Sequence, residues 1–134
     1  MTDLGHWTHD GVVQEDAYGF IYEITNLINN KKYIGKKQMQ SIRKMPPLKG
    51  RKNKRHKKVE TDWKTYTGSS NELNADIEEN GKDKFKFEIL QFCNSKSEMS
   101  YREAKEQFAR DVLLSEGFYN GIINCRIGKI KLTS

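Results

Sequence analysis

The sequence predicts an α+β domain, a small three-stranded antiparallel sheet flanked by helices, and three observations predict it. Residues 19–25 and 31–34 are rich in β-branched and aromatic residues and are separated by Asn26-Leu27-Ile28-Asn29-Asn30, which reads as a hairpin with a slightly long turn. Phe85 to Phe92 alternates apolar and polar and reads as a third strand. Behind it, Ser95-x-x-Glu98 fits a capping box, and Tyr101, Ala104, Phe108 and Val112 recur at helical spacing as the expected buried stripe of a long helix.

The other elements follow in order. Residues 1–17 are polar and read as a flexible N-terminal arm, with 18–134 as a single domain carrying a basic insertion at about 45–60. Lys36 to Met45 reads as a short helix stopped by Pro46-Pro47, and Leu48 to Lys58 as a loop without apolar periodicity. Order returns at Asp62 to Tyr66, where Trp63 and Tyr66 read as core or loop anchors. Gly68-Ser69-Ser70 reads as a turn whose serine caps a helix from Asn71 to Glu79, closed by Asn80-Gly81. The long helix is expected to run to about Ser115, with Gly117 as its stop.

Charge is unevenly placed. Lys31 to Lys58 holds 13 of the 24 basic residues and no acidic one, so the other 11 are outnumbered by all 18 Asp and Glu. A concentrated basic strip is the footprint of a polyanion partner, although a solvated loop has the same composition. Cys93 and Cys125 form neither a C-x-x-C pair nor, with His6, His9 and His56, a zinc-finger pattern, and reduced thiols are expected. His6-Trp7-Thr8-His9 reads as a docking or tag-like segment in preference to a metal pair, because no third ligand is near. No apolar run approaches the ~20 residues of a membrane span, and the start lacks a signal-peptide layout. A soluble, cytoplasmic protein is expected.

One set of residues matches a chemistry. Phosphodiester hydrolysis needs a group that takes a proton from water, a cation against the charge of the transition state, and stabilisation of the leaving oxygen. Tyrosine relieved of its proton, arginine with its planar fork, and a carboxylate holding magnesium suit these tasks. Tyr22 and Tyr33 stand 11 residues apart on the two hairpin strands, Arg43 follows 10 residues later, and a glutamate on the long helix and Asn120 complete the set. Taken singly, each has a plainer reading: a packing tyrosine, one more strip arginine, a solvated helix glutamate, a turn asparagine.

Phe20-Ile21-Tyr22 and Tyr33-Ile34-Gly35, with Arg43, Glu103 and Tyr119-Asn120, resemble the GIY-YIG nuclease superfamily over most of residues 19–124. Trp63-Lys64-x-Tyr66-x-Gly68-Ser69-Ser70 and Tyr119-Asn120-Gly121 are similar to its small free-standing phage homing-type (Seg-like) members. Phe20 departs from the pattern, which has glycine there; Gly19 precedes it.

The resemblance implies a divalent-metal-dependent DNA endonuclease, with Tyr33 as general base or relay and Tyr22 ordering water and phosphate. Arg43 would contact the scissile phosphate, Glu103 would bind Mg2+ (or Mn2+), and Asn120 would brace the metal site and fold. Glu106 and Glu98 are alternative ligands; on a helical wheel Glu103 shares a face with Met99 and Gln107, opposite the expected buried stripe. Lys36, Lys37, Lys49, Arg51, Lys52, Lys54, Arg55, Lys57 and Lys58 are the expected DNA contacts, to backbone and not to bases. A single site cuts one strand per engagement, so a homodimer or a partner protein is expected for double-strand cleavage. The alternatives are a non-catalytic nucleic-acid-binding module on the same fold, an RNA-associated basic protein, and a restriction or host-DNA-degrading nuclease. If the chain is phage-encoded, its compartment would be the host cytoplasm.

Overall fold

A computed structural model describes residues 3–14, 16–45, 47, 49–50 and 55–123, with backbone alone at 42–45 and 55–58. Its centre is a three-stranded antiparallel sheet in the order β2-β1-β5, formed by β1 (Gly19–Asn26), β2 (Lys32–Gln38) and β5 (Phe85–Cys93). Helices α1 (Asn71–Asn80) and α2 (Lys96–Ala109) complete the α+β layout that the sequence predicts.

β1 is buried on both faces, because it lies between β2 and β5 and each face carries its own apolar cluster. Phe20, Tyr22 and Ile24 point to a face shared with Phe87, Ile89, Trp63 and Leu73. Ile21 points to the other, with Ile34, Cys93, Met99 and Val112. Phe20, the departure from the first signature tripeptide, is fully buried against Trp7, Trp63 and Phe92, with ring centroids 5.2, 5.9 and 6.3 Å away. The close approach falls one residue earlier: a Cβ on Gly19 would overlap the Met99 sulfur of α2 and stand 2.6 Å from the Lys37 carbonyl.

Four expectations change. The short helix expected over Lys36–Met45 is two strands. Lys36 to Gln38 continue β2, with Lys37 opposite Phe20 and Gln38 opposite Gly19, and Gln40–Met45 forms β3. Lys, Gln and Met favour helices intrinsically, but the ladder offered by β1 outweighs a few tenths of a kcal/mol per residue. The expected basic loop likewise contains a strand, β4 (Arg55–Glu60), antiparallel to β3 in a separate two-stranded sheet. At its base Met39 N donates to Tyr18 O (2.8 Å) and Thr61 N to Met39 O (3.0 Å).

Residues 6–9 do not belong to a flexible arm. Trp7 is 3% exposed and its Nε1 donates to Trp63 O at 2.5 Å. Thr8 bridges β5 in parallel, donating to Phe87 O and accepting from Ile89 N at 2.9 and 2.8 Å. His6 stacks on Phe87 with centroids 4.0 Å apart, and His9 Nδ1 lies 2.8 Å from Ile89 O, so the His-Trp-Thr-His segment docks.

Ser95 caps α2 as expected, Glu98 N donating to Ser95 Oγ (3.1 Å), while the Glu98 carboxylate reaches one residue beyond the cap and accepts from Asn94 N at Oε1 (2.8 Å). It ends at Ala109, well short of Ser115, and its orientation differs from the expected one. Tyr101 and Phe108 are 44% and 55% exposed, whereas Met99, Ala104 and Gln107 are buried. Only Ala104 and Val112 of the expected stripe are inside. The sheet face on which α2 packs presents Gly19, Ile21 and Ile34, and Met99 is the side chain that fits over the glycine. That choice turns the Glu103 face inward. Among the described residues no helix is long and apolar enough to cross a membrane.

Because Trp7 fills the core between Phe20, Tyr22 and Phe87, Trp7→Ala should lower unfolding stability by about 3–5 kcal/mol. Urea denaturation measures this; a loosely attached arm would leave the midpoint unchanged.

Candidate active site

The register of the hairpin builds the first half of the site. Tyr22 pairs with Gly35 and Ile24 with Tyr33, so both tyrosines project from the same face, with ring centroids 6.1 Å apart. Gly35 is required by this pairing: a Cβ there would lie 2.6 Å from Tyr22 Cζ. Gly68, with φ +85°, presses its backbone on both rings; its Cβ would meet Tyr33 Cε2 at 3.1 Å and the Tyr22 hydroxyl at 3.2 Å.

The second half comes around the edge of the sheet. β2 is an edge strand, and the segment after α2 covers it: Lys32 N donates to Gly117 O (2.8 Å) and Tyr119 N to Lys32 O (2.7 Å). One step on, the Asn120 side chain takes the place of a strand residue. Ile34 N donates to its Oδ1 at 3.0 Å, and its Nδ2 donates to Ile34 O at 2.8 Å. Gln107 Nε2 of α2 donates to the same carbonyl at 3.0 Å. Tyr119 is held in turn, its hydroxyl donating to Asp76 Oδ2 (2.7 Å) and accepting from Asn26 Nδ2 (3.0 Å); burial pushes its phenol up to about 12.

Between the halves lies a cleft of about 380 Å³ lined by Tyr22, Tyr33, Tyr66, Glu103, Gln107 and Asn120, with Lys36 and the Ser69–Ser70 turn at its sides. Of the three glutamates weighed on the long helix, Glu103 lines the cleft. Glu98 caps Asn94 and pairs with Arg102, and Glu106 pairs with Arg110. The Glu103 side chain is 14% exposed, although its helix face is the one expected to lie opposite the buried stripe. Burial raises its carboxyl above the usual range, against the lowering effect of Lys36, whose Nζ stands 3.8 Å away and donates to Ser100 Oγ at 3.0 Å. Burial drives the Tyr22 phenol far above its ordinary value and raises Tyr66, so both keep their protons. Tyr33 is less enclosed, and its hydroxyl shares a 3.1 Å hydrogen bond with Ser69 Oγ.

Tyr22, Tyr33, Lys36, Glu103 and Asn120 are therefore brought together. Lys37 is on the opposite side of β2 from Lys36, paired with Asp62 (2.8 Å) and over the Tyr66 ring (4.2 Å). Lys49 is exposed in a turn, and Arg43, Arg55, Lys57 and Lys58 are placed as backbone on β3 and β4. Arg51, Lys52 and Lys54 lie outside the described residues. His6 stays outside the site: burial brings its imidazole down to about 4, and among the described residues no three His, Cys, Asp or Glu gather as a metal cluster.

The sequence reading missed Tyr66, Ser69 and Gln107. In the sequence Tyr66 reads as an anchor and the serines as a turn; the available signal for Gln107 is its position four residues after Glu103 on one helix face.

A three-stranded antiparallel sheet bearing paired tyrosines, with a helix glutamate and an asparagine at the strand edge, is the arrangement of a GIY-YIG nuclease domain. A family profile described as "Putative endonuclease segE, GIY-YIG domain" matches residues 6–123, and the chain belongs to that family. It is 29% identical over 103 residues to the phage T4 protein of the same description, a match covering 77% of this chain and 40% of that relative. The chain thus spans less than half of the relative's length. No solved structure matches.

The enclosed carboxyl yields a stability prediction. The folded-state value of Glu103 lies above its ordinary one, so its contribution to stability is greatest while protonated and is lost as pH rises through the raised value. Without divalent ions, Glu103→Gln should therefore melt higher than wild type at pH 7. The gap should close as the pH falls below the ordinary carboxyl range, a trend that thermal scans across pH measure.

Proposed function

We propose that this chain is a divalent-metal-dependent endonuclease that hydrolyses DNA phosphodiester bonds, of the phage homing type. The observation that carries the reading is the meeting of Tyr22, Tyr33 and Glu103, from two strands and a helix, on one cleft. Membership of an endonuclease family agrees with it.

The roles follow from the environments. Tyr33 is the less enclosed phenol, and it takes or relays the proton of the attacking water. Tyr22, held protonated by burial, donates a hydrogen bond to the water or a phosphate oxygen. Arg43, on β3 where the chain leaves the sheet, serves the scissile phosphate. Asn120 keeps β2, and with it Tyr33, in register.

The donor set fits a magnesium ion that keeps most of its waters. Glu103 supplies a desolvated carboxylate with one loose ion pair, and the buried Gln107 Oε1 beside it has no hydrogen-bond partner. Such an ion supplies charge neutralisation at the phosphate when bound; Mn2+ is the alternative. Lys36 stands at the cleft, and Arg55, Lys57 and Lys58 of the basic strip, on β4, are further contacts for the DNA backbone. A second copy or a partner protein completes double-strand cleavage, and the setting is the cytoplasm of an infected cell.

Plasmid nicking tests this. With Mg2+ the wild type should nick supercoiled DNA and EDTA should stop it. Tyr33→Phe and Glu103→Ala should each slow nicking by at least ~100-fold while gel-shift binding persists. Equal rates for all three proteins would sink the mechanism; binding with no nicking by wild type would favour a non-catalytic module.

A further inference from the structure

We infer that Ser69 is the positioning residue of Tyr33, its hydroxyl fixing the rotation of the Tyr33 hydroxyl at the mouth of the cleft. The inference rests on Tyr33 acting as proton acceptor or relay. The contact is direct, 3.1 Å between Tyr33 Oη and Ser69 Oγ, and joins residues 36 positions apart.

Ser69 has no structural task that would account for the contact. Ser70 is the residue that caps α1, accepting from Leu73 N at 3.3 Å, and Ser69 is exposed. Yet the turn that carries Ser69 is held from both sides. Asn74 Nδ2 donates to Gly68 O at 3.1 Å, Thr67 Oγ1 donates to Asn74 Oδ1 at 2.5 Å, and α1 is anchored by the fully buried Leu73. Gly68, with φ +85°, allows that turn to lie against both tyrosine rings. The serine is therefore aimed, unlike an ordinary surface hydroxyl whose partner is water.

The chemistry needs such a device. A phenol O–H rotates about its C–O bond, and it relays a proton only by passing its own on as a lone pair takes one from the water; donating to Ser69 Oγ aims that outgoing proton at the exposed serine hydroxyl, which in turn gives its proton to solvent. One hydrogen bond to a fixed neighbour selects the rotor position and leaves the remaining sites of Tyr33 facing the cleft. The Ser69 side chain also holds the Tyr66 phenol down against the burial that raises it, so the serine stands among the same hydroxyl group of residues.

Ser69→Ala removes the hydroxyl from an exposed position. Under single-turnover nicking with Mg2+, it should lower the rate about five- to tenfold, with unchanged half-saturation for plasmid and an unchanged melting temperature. Because Ser69 acts through Tyr33, adding Ser69→Ala to Tyr33→Phe should cost nothing further, as measured with excess enzyme over long incubations. A wild-type rate for Ser69→Ala, a loss confined to half-saturation, or the same fold-loss in the Tyr33→Phe background would overturn the inference and leave the proposed function standing. A wild-type rate for Tyr33→Phe would instead overturn the reading on which it rests.

Discussion

The backbone of Ile34 is the point on which the site hangs. It lies on an edge strand, fully buried, with one N–H and one C=O turned away from β1. Leaving either unpaired would cost on the order of 1–3 kcal/mol. The Asn120 carboxamide supplies an acceptor and a donor in one plane, as a neighbouring peptide would, and Gln107 adds a second donor to the carbonyl. Aspartate could not do this, because it lacks the donor and would face the Ile34 carbonyl with a negative charge. This clamp joins β2, α2 and the segment after α2, which are the elements that bring Tyr33, Glu103 and Asn120 to one cleft.

Around the clamp, close approach does the rest. Tyr22 lies on Gly35, Gly68 lies on Tyr22 and Tyr33, and Gly19 admits the Met99 sulfur. Each glycine removes a side chain where two elements need to meet, so strand, turn and helix converge at the tyrosines. The enclosure has an electrostatic consequence. Tyr22 and Glu103 are both pushed toward their neutral forms by burial, while Tyr33 sits nearer solvent.

The hairpin, both helix caps and the third strand were legible because each depends on local signals: β-branched runs, Ser70, Ser95 and Gly81. The segment from Lys36 to Lys58 was not. Its Lys, Gln and Met residues have no strand signature, and β2 extends because β1 offers a free ladder edge, a long-range fact. The buried face of α2 was misread for a related reason. Tyr101 and Phe108 are the larger apolar groups, yet the helix turns inward the residues that fit over Gly19 and reach Ile34. That same turn placed Glu103 deeper than the helical wheel implied.

By itself the sequence determined the family and the identity of the residues offered to the site. Paired tyrosine motifs at hairpin spacing, a following arginine and a terminal asparagine carry that information in their order. The tertiary structure decided the rest: that Glu103 and not Glu98 or Glu106 faces the cleft, that Ser69 and Gln107 enter it, and that Trp7 belongs to the core. The physical reason is that a residue's type and spacing are local, whereas burial and hydrogen-bond partnership depend on which distant backbone groups, such as those of Ile34, remain to be satisfied.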